Sequence, residues 1–160
     1  MKIYYLILAT VILIASSGEI SAQNKKVKKQ SWPIQEKHIS VAEFPADKMI
    51  NFLDEWGGMT VAVNAMPAGS DLAPLLVGLK NNSCQVPHWG YLIQGSLILK
   101  YDDGKEVTLK AGDLFYMSPG HTAKAIEDIK ILDFSPEQEF KDLVVHLENK
   151  AAELQKLKSP

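Results

Sequence analysis

Apolar and polar side chains alternate over short stretches through most of the chain, and clusters of Gly, Pro, Asn and Asp separate the stretches. A period of two marks a strand that buries one face. On that pattern, together with β-branching and flanking turns, strands are predicted at residues 39–42, 59–66, 73–79, 90–101, 106–109, 114–117 and 129–134. Residues 47–53 read as a helical turn ended by Gly57-Gly58. Turn signals stand at Pro67-Ala68-Gly69, Asn81-Asn82, Gln94-Gly95, Asp102-Asp103-Gly104, Lys110-Ala111-Gly112 and Pro119-Gly120. Many short strands with turns at this spacing imply an all-β sandwich or barrel.

From Ser135 onward the period changes. Ser135, Pro136 and Gln138 predict a capping box with proline at the first helical position. Phe140, Leu143, Val144, Leu147, Ala151 and Leu154 then recur at three- and four-residue steps, which is one apolar stripe of a helix over residues 136–157. The stripe is expected to cover the barrel or a second subunit. His146 lies off it and reads as a solvated surface residue.

Residues 1–22 carry Lys2, a mostly apolar run over residues 3–15, then small and polar residues before Gln23. This is the form of a secretory signal peptide cut after Ala22, and the run is shorter than the roughly 18 apolar residues of a membrane-spanning helix. A periplasmic or secreted product is expected, with membrane attachment only if the segment stays uncleaved. Lys25, Lys26, Lys28 and Lys29 follow the cut, and residues 23–31 read as a lysine-rich linker without apolar period. Residues 32–135, ahead of the helix, have material for one core. All 17 basic residues are lysine and the net charge is −2. The bidentate guanidinium fork is therefore absent, and no nucleic-acid partner is expected.

An exported chain with one cysteine cannot close a disulfide within itself. Cys84 is then buried and inert, joined to another molecule, reactive, or bound to a metal. His88 lies four positions further on, and side chains four apart on an extended strand share a face, with Pro87 suited to a strand start. His121 comes from the turn at the end of another strand. A cysteine sulfur and two imidazoles suit zinc, with a fourth position for water or substrate. Thiolate softness favours zinc over hard ions and leaves iron, manganese, nickel and copper open. Taken singly, Cys84 reads as a small buried hydrophobe and His121 as the cap of a turn. Asp133, within "IKILDFSP", is an extra ligand, an acceptor that fixes a histidine tautomer, or an ordinary solvated group. His38 reads as a surface residue. Trp89 and Tyr91 have the opposite parity to His88 and are expected outside the barrel or at a subunit contact.

The stretch from residue 82 to residue 123 resembles the two motifs of the cupin superfamily, approximately G-x5-H-x-H-x3-4-E-x6-G and G-x5-P-x-G-x2-H-x3-N. Anchored on Gly95, Asn82 and Cys84 fall where the family has histidines, and His88 falls where it has glutamate. In the second motif Gly112-Asp113 opens the pattern, Ser118 takes the proline position with Pro119 beside it, and Gly120 matches the second glycine. The family's histidine falls at Ala123, whereas His121 directly follows the glycine.

The resemblance implies a cupin-type double-stranded β-helix, that is a jelly-roll barrel, carrying a C-terminal α-helix. It implies a divalent metal in the barrel, here on Cys84, His88 and His121, and a small organic molecule entering the open end. Metal-dependent oxygenases, isomerases and lyases look like this, and so do non-enzymatic binding or sensing modules, since fold does not decide function. Family members pair through a barrel edge, so a homodimer is expected.

Overall fold

The computed structural model describes residues 37–158. The signal segment and the linker expected over residues 1–31 lie outside them. Two antiparallel sheets make up the fold. β1 (Phe52–Leu53), β2 (Met59–Met66), β8 (Ile129–Pro136), β3 (His88–Gln94) and β6 (Leu114–Met117) form one, in that spatial order. β5 (Glu106–Lys110), β4 (Ser96–Tyr101) and β7 (His121–Ala125) form the other. Helix α1 (Glu137–Lys158) follows β8 directly.

Alternation determines which residues meet inside. Leu92 of β3, Leu97 and Leu99 of β4, Phe115 and Met117 of β6 and Ala125 of β7 belong to one buried cluster fed by both sheets. The sheets therefore pack face to face, with each strand's odd or even set turned inward. In β3 the inward set begins with His88 and ends with Leu92, while Trp89 and Tyr91 face outward and are exposed. In β7, His121, Ala123 and Ala125 are all buried. Polar inward residues thus cluster at one end of the barrel and aliphatic ones fill the rest.

Gly90 lies between these two zones. A side chain there would collide with the Leu132 carbonyl and the Phe115 ring and come within 2.9 Å of Asp133 Cα. Its lack of Cβ lets β3 and β8 close up beside the polar end.

α1 lays its apolar stripe over that same end. Phe140, Leu143, Val144 and Leu147 are buried in a cluster with Cys84, Val86, Leu76 and Ala62. Each contributes roughly 1.5–3 kcal/mol of gross transfer free energy. The start of the helix is pinned by Lys141 Nζ, 2.7 Å from Asp54 Oδ2 and 2.8 Å from Glu137 Oε1, and by the Glu55 amide donating to Glu137 Oε2 at 3.0 Å. Exposed ion pairs of this kind contribute about 0–1 kcal/mol each. The stripe, not the ion pairs, holds α1 down. Among the described residues no helix is long and apolar enough to cross a membrane.

Several expected elements differ. Residues 39–42 hold no strand: Val41–Glu43 is a 3-10 turn, capped where Ala42 N donates to Ser40 Oγ at 3.2 Å. Residues 47–53 hold no helical turn, because Asn51 takes over the local backbone. Its Oδ1 accepts from Lys48 N (3.0 Å) and its Nδ2 donates to Lys48 O (2.9 Å), which competes with helix hydrogen bonds. Residues 73–79 form a 3-10 helix at Ala73–Leu76 rather than a strand, with Pro74 in its first turn. Residues 90–101 are two strands folded at Gly95, which takes φ 77°. β7 is not marked by the pattern because the inward face of His-Thr-Ala-Lys-Ala carries one histidine and two alanines, with no large apolar side chain. Ser135 belongs to β8, and Pro136, not Ser135, directly precedes the helix. His146 is not fully solvated: its Nε2 is buried without a hydrogen-bond partner, and its ring lies beside Gly78.

Candidate metal centre

The loop between β2 and β3 delivers Cys84. Its backbone forms an isolated antiparallel bridge to His121, with Cys84 N donating to His121 O at 2.8 Å and Gly120 N donating to Cys84 O at 2.7 Å. Cys84 therefore does not share a strand with His88, since a bend at Val86 separates them. The bridge to β7 and the bend bring the side chains together by a different route from simple strand alternation.

The ligand atoms of Cys84, His88 and His121 all lie within 4.8 Å of one another, and all three residues are buried. They are 4%, 7% and 4% exposed respectively. Among the described residues this is the one such group of three metal-ligating side chains. Cys84 Sγ lies 3.5 Å from His88 Nε2. Zinc–sulfur and zinc–nitrogen bonds of about 2.3 and 2.0–2.1 Å at a tetrahedral angle require a sulfur–nitrogen edge of about 3.5 Å. The donor set and the Cys84–His88 edge fit a tetrahedral ion.

Both imidazoles are anchored from behind. His121 Nδ1 donates to the Ser118 carbonyl at 2.7 Å, and because a carbonyl only accepts, the proton sits on Nδ1. Nε2 is the nitrogen left for the cluster. His88 Nδ1 lies 2.7 Å from Ser135 Oγ and 3.1 Å from Asp133 Oδ2, which leaves Nε2 facing Cys84. Asp133 sits on the far side of the ring from the sulfur, so it orients His88 and is not placed as an additional ligand. A histidine ligand whose other nitrogen donates to a carboxylate or carbonyl is the usual arrangement around bound metals.

Electrostatics are set by the same contacts. Burial pushes the Cys84 thiol up, but hydrogen bonds and charge from His121 and His88 outweigh burial and bring it down to about 6. Burial pushes His88 down, and Asp133 and Cys84 together outweigh that, raising it to about 9. Both shifts favour a thiolate beside an imidazolium when no metal is bound. A thiolate is the form that ligates metal.

The other sequence candidates fall elsewhere. Asn82 is exposed, with left-handed backbone (φ 54°), and its Oδ1 accepts from Gly78 N at 2.9 Å. Ala123 packs in the apolar core. His121 is two residues ahead of it on β7, one full strand period, so it keeps the inward face that Ala123 has. His38 is exposed. Ser135 and Phe140 were not anticipated at the site. Ser135 could have been found from Asp133, because residues two apart on β8 share a face. Phe140 stands edge-on to His88 with ring centroids 6.0 Å apart, a contact that needed the docking of α1.

Residues 83–131 match the family described as EutQ-like cupin domain. The chain carries a cupin domain. Solved structures similar to this cupin include an RmlC-like cupin protein from Desulfovibrio desulfuricans, at 16% identity over 64% of this chain and 98% of that one, TM-score 0.46. A double-stranded β-helix protein from Klebsiella pneumoniae is 21% identical over 64% of this chain and 92% of that one, TM-score 0.45. A cupin superfamily protein from Desulfitobacterium hafniense is 14% identical over 64% and 92%, TM-score 0.44. No curated protein matches the chain.

Proposed function

We propose that this protein is an exported cupin that holds a divalent metal, zinc in preference to iron, manganese, nickel or copper, through Cys84 Sγ, His88 Nε2 and His121 Nε2. The observation that carries this reading is the convergence of one sulfur and two imidazoles, all on buried residues, with both rings held from behind. When bound, the ion supplies Lewis acidity or activated water to a small organic molecule. Cys84 contributes a ready thiolate, Asp133 and Ser135 orient His88, and the Ser118 carbonyl orients His121. An oxygenase, isomerase or lyase would use this site for turnover.

The runner-up is a non-enzymatic cupin that binds or senses the metal. Burial of all three ligating residues, with Cys84 packed in one cluster with α1 and His88 against Phe140, favours it, because none of the three is more than 7% exposed. Elemental analysis of freshly purified protein tests the shared core of both readings: about one metal per chain is expected, lost in Cys84→Ala and His88→Ala. Asp133→Asn should weaken affinity about 10–100-fold while leaving the ligating atoms in place. Folded protein that takes up none of these metals after refolding in their presence would reject both. Turnover on a substrate panel then separates the two readings.

The localisation and assembly readings are part of the same proposal. Export is supported by the form of residues 1–22, and a mass measurement showing a mature chain starting at Gln23 tests it. Homodimer formation is supported by an apolar outer face on the five-stranded sheet, where Trp89 pairs across strands with Tyr116 and Phe134, and Tyr91 with Leu114 and Leu132.

A further inference from the structure

We infer that α1 is a gate over the Cys84–His88–His121 cluster, with Phe140 as the gating side chain, and that metal and ligand reach the site only when α1 lifts locally. Its purpose rests on the metal reading, but the geometry of the cover does not.

The helix packs against two members of the cluster: Phe140 stands edge-on to His88 and also to Phe52, at 6.0 and 5.3 Å between ring centroids. Leu143, Val144 and Leu147 share one buried cluster with Cys84 and Val86. The cover is also separable from the barrel. α1 pairs with no strand, joins β8 at Pro136, and makes its hydrophobic contact through a single stripe while Val145 on its back is 58% exposed. A helix attached by one apolar face, one connection and the polar contacts of its first turn can open without breaking any sheet ladder. Finally, Ser135 Oγ lies 2.7 Å from His88 Nδ1, so the residue orienting His88 is two positions from the start of the gate. Lifting α1 would disturb the support of His88 and uncover Cys84 in one movement.

Cys84 is the chain's one cysteine, which makes its thiol a built-in reporter of opening. The experiment measures the rate at which an aromatic disulfide reagent labels Cys84 in metal-free protein, for wild type, Phe140→Ala, Phe140→Leu, Lys141→Ala and Val145→Ala. Wild type should label slowly, at a rate nearly flat across low urea concentrations, as expected for local opening. Phe140→Ala should label at least tenfold faster, with Phe140→Leu intermediate. Lys141→Ala, which removes the anchor and leaves the core intact, should be up to about fivefold faster. Val145→Ala should match wild type. If Phe140→Ala fails to fold, Phe140→Leu and Lys141→Ala carry the same comparison. Equal rates in all folded variants would overturn the gate, as would a wild-type rate that rises with urea as steeply as global unfolding does. Adding zinc separates the two proposals: protection of the thiol supports the metal reading, whereas gated labelling that zinc leaves unchanged keeps the gate and rejects the metal.

Discussion

At Cys84 a buried sulfur meets two imidazoles, and the balance of effects there can be checked directly. Burial alone would raise the thiol, so its fall to about 6 depends on His121 and His88. A lowered folded value means that the thiolate's stabilisation is present above the unfolded value near 9 and is lost as pH falls through about 6. For His88, raised to about 9, the stabilisation is full below the ordinary value of 6.5 and is lost as pH rises through about 9. The thiolate absorbance of metal-free protein should therefore titrate near pH 6, and His88→Ala should move the midpoint upward. A midpoint near 9 in the wild type would show that the imidazoles do not reach the sulfur. Gly90 allows a second test at this scale. Gly90→Ala should cost about 1–3 kcal/mol in chemical denaturation through overpacking against β8. Residue types at the site were legible in the sequence because Cys84, His88 and His121 stand at or beside motif positions. Ser135 was misread because Ser-Pro-x-Gln has the same form whether the serine caps a helix or ends a strand beside a histidine.

Among the elements, strands with strong alternation were legible and connections were not. β2 and β6 span the residues their pattern marked, whereas residues 73–79, rich in leucine and valine, fold as a 3-10 turn because their apolar side chains serve α1 instead of a sheet. Tertiary contact overrides local propensity there. The helix stripe was equally legible, but the sequence did not show that it would seal the polar end of the barrel. Its anchor makes a pH prediction. Hydrogen bonding and charge from Lys141 hold the Asp54 and Glu137 carboxyls below their ordinary values. Lowered values give stabilisation that is present above the unfolded range, roughly pH 4, and is lost as pH falls through the folded values. Amide protection in the first turns of α1, corrected for intrinsic exchange, should therefore drop between pH 6 and pH 3. It should also weaken in high salt, because the pairs are exposed. Protection that stays constant over that interval would assign the anchoring wholly to Phe140 and its apolar neighbours.

For the whole molecule, what the outer surface leaves uncovered is as informative as the core. On the five-stranded sheet the β2 side of the outer face is covered, with Phe44, Val61 and Val63 buried beneath Ile39, Leu53 and Trp56. Among the described residues nothing covers the other side: Trp89, Tyr91, Tyr116 and Phe134 are exposed, and Leu114 is 83% exposed on β6, one of the sheet's two edge strands. The parity of Trp89 and Tyr91 put them outside the barrel from sequence alone, but their alignment with β6 and β8 needed the strand order, which no local pattern encodes. An unpaired edge strand beside an apolar face is a template for association unless something covers it. A second copy can cover both at once, because a patch without charge opposes its own image without repulsion. Light scattering at micromolar concentration should give twice the protomer mass. Replacing Leu114 and Tyr116 with lysine should give a monomer whose Cys84 labelling rate and metal content match the parent, since both side chains point away from the cluster. A parent that is monomeric at this concentration would rule out the pairing. A variant that stays dimeric would move the contact to another face.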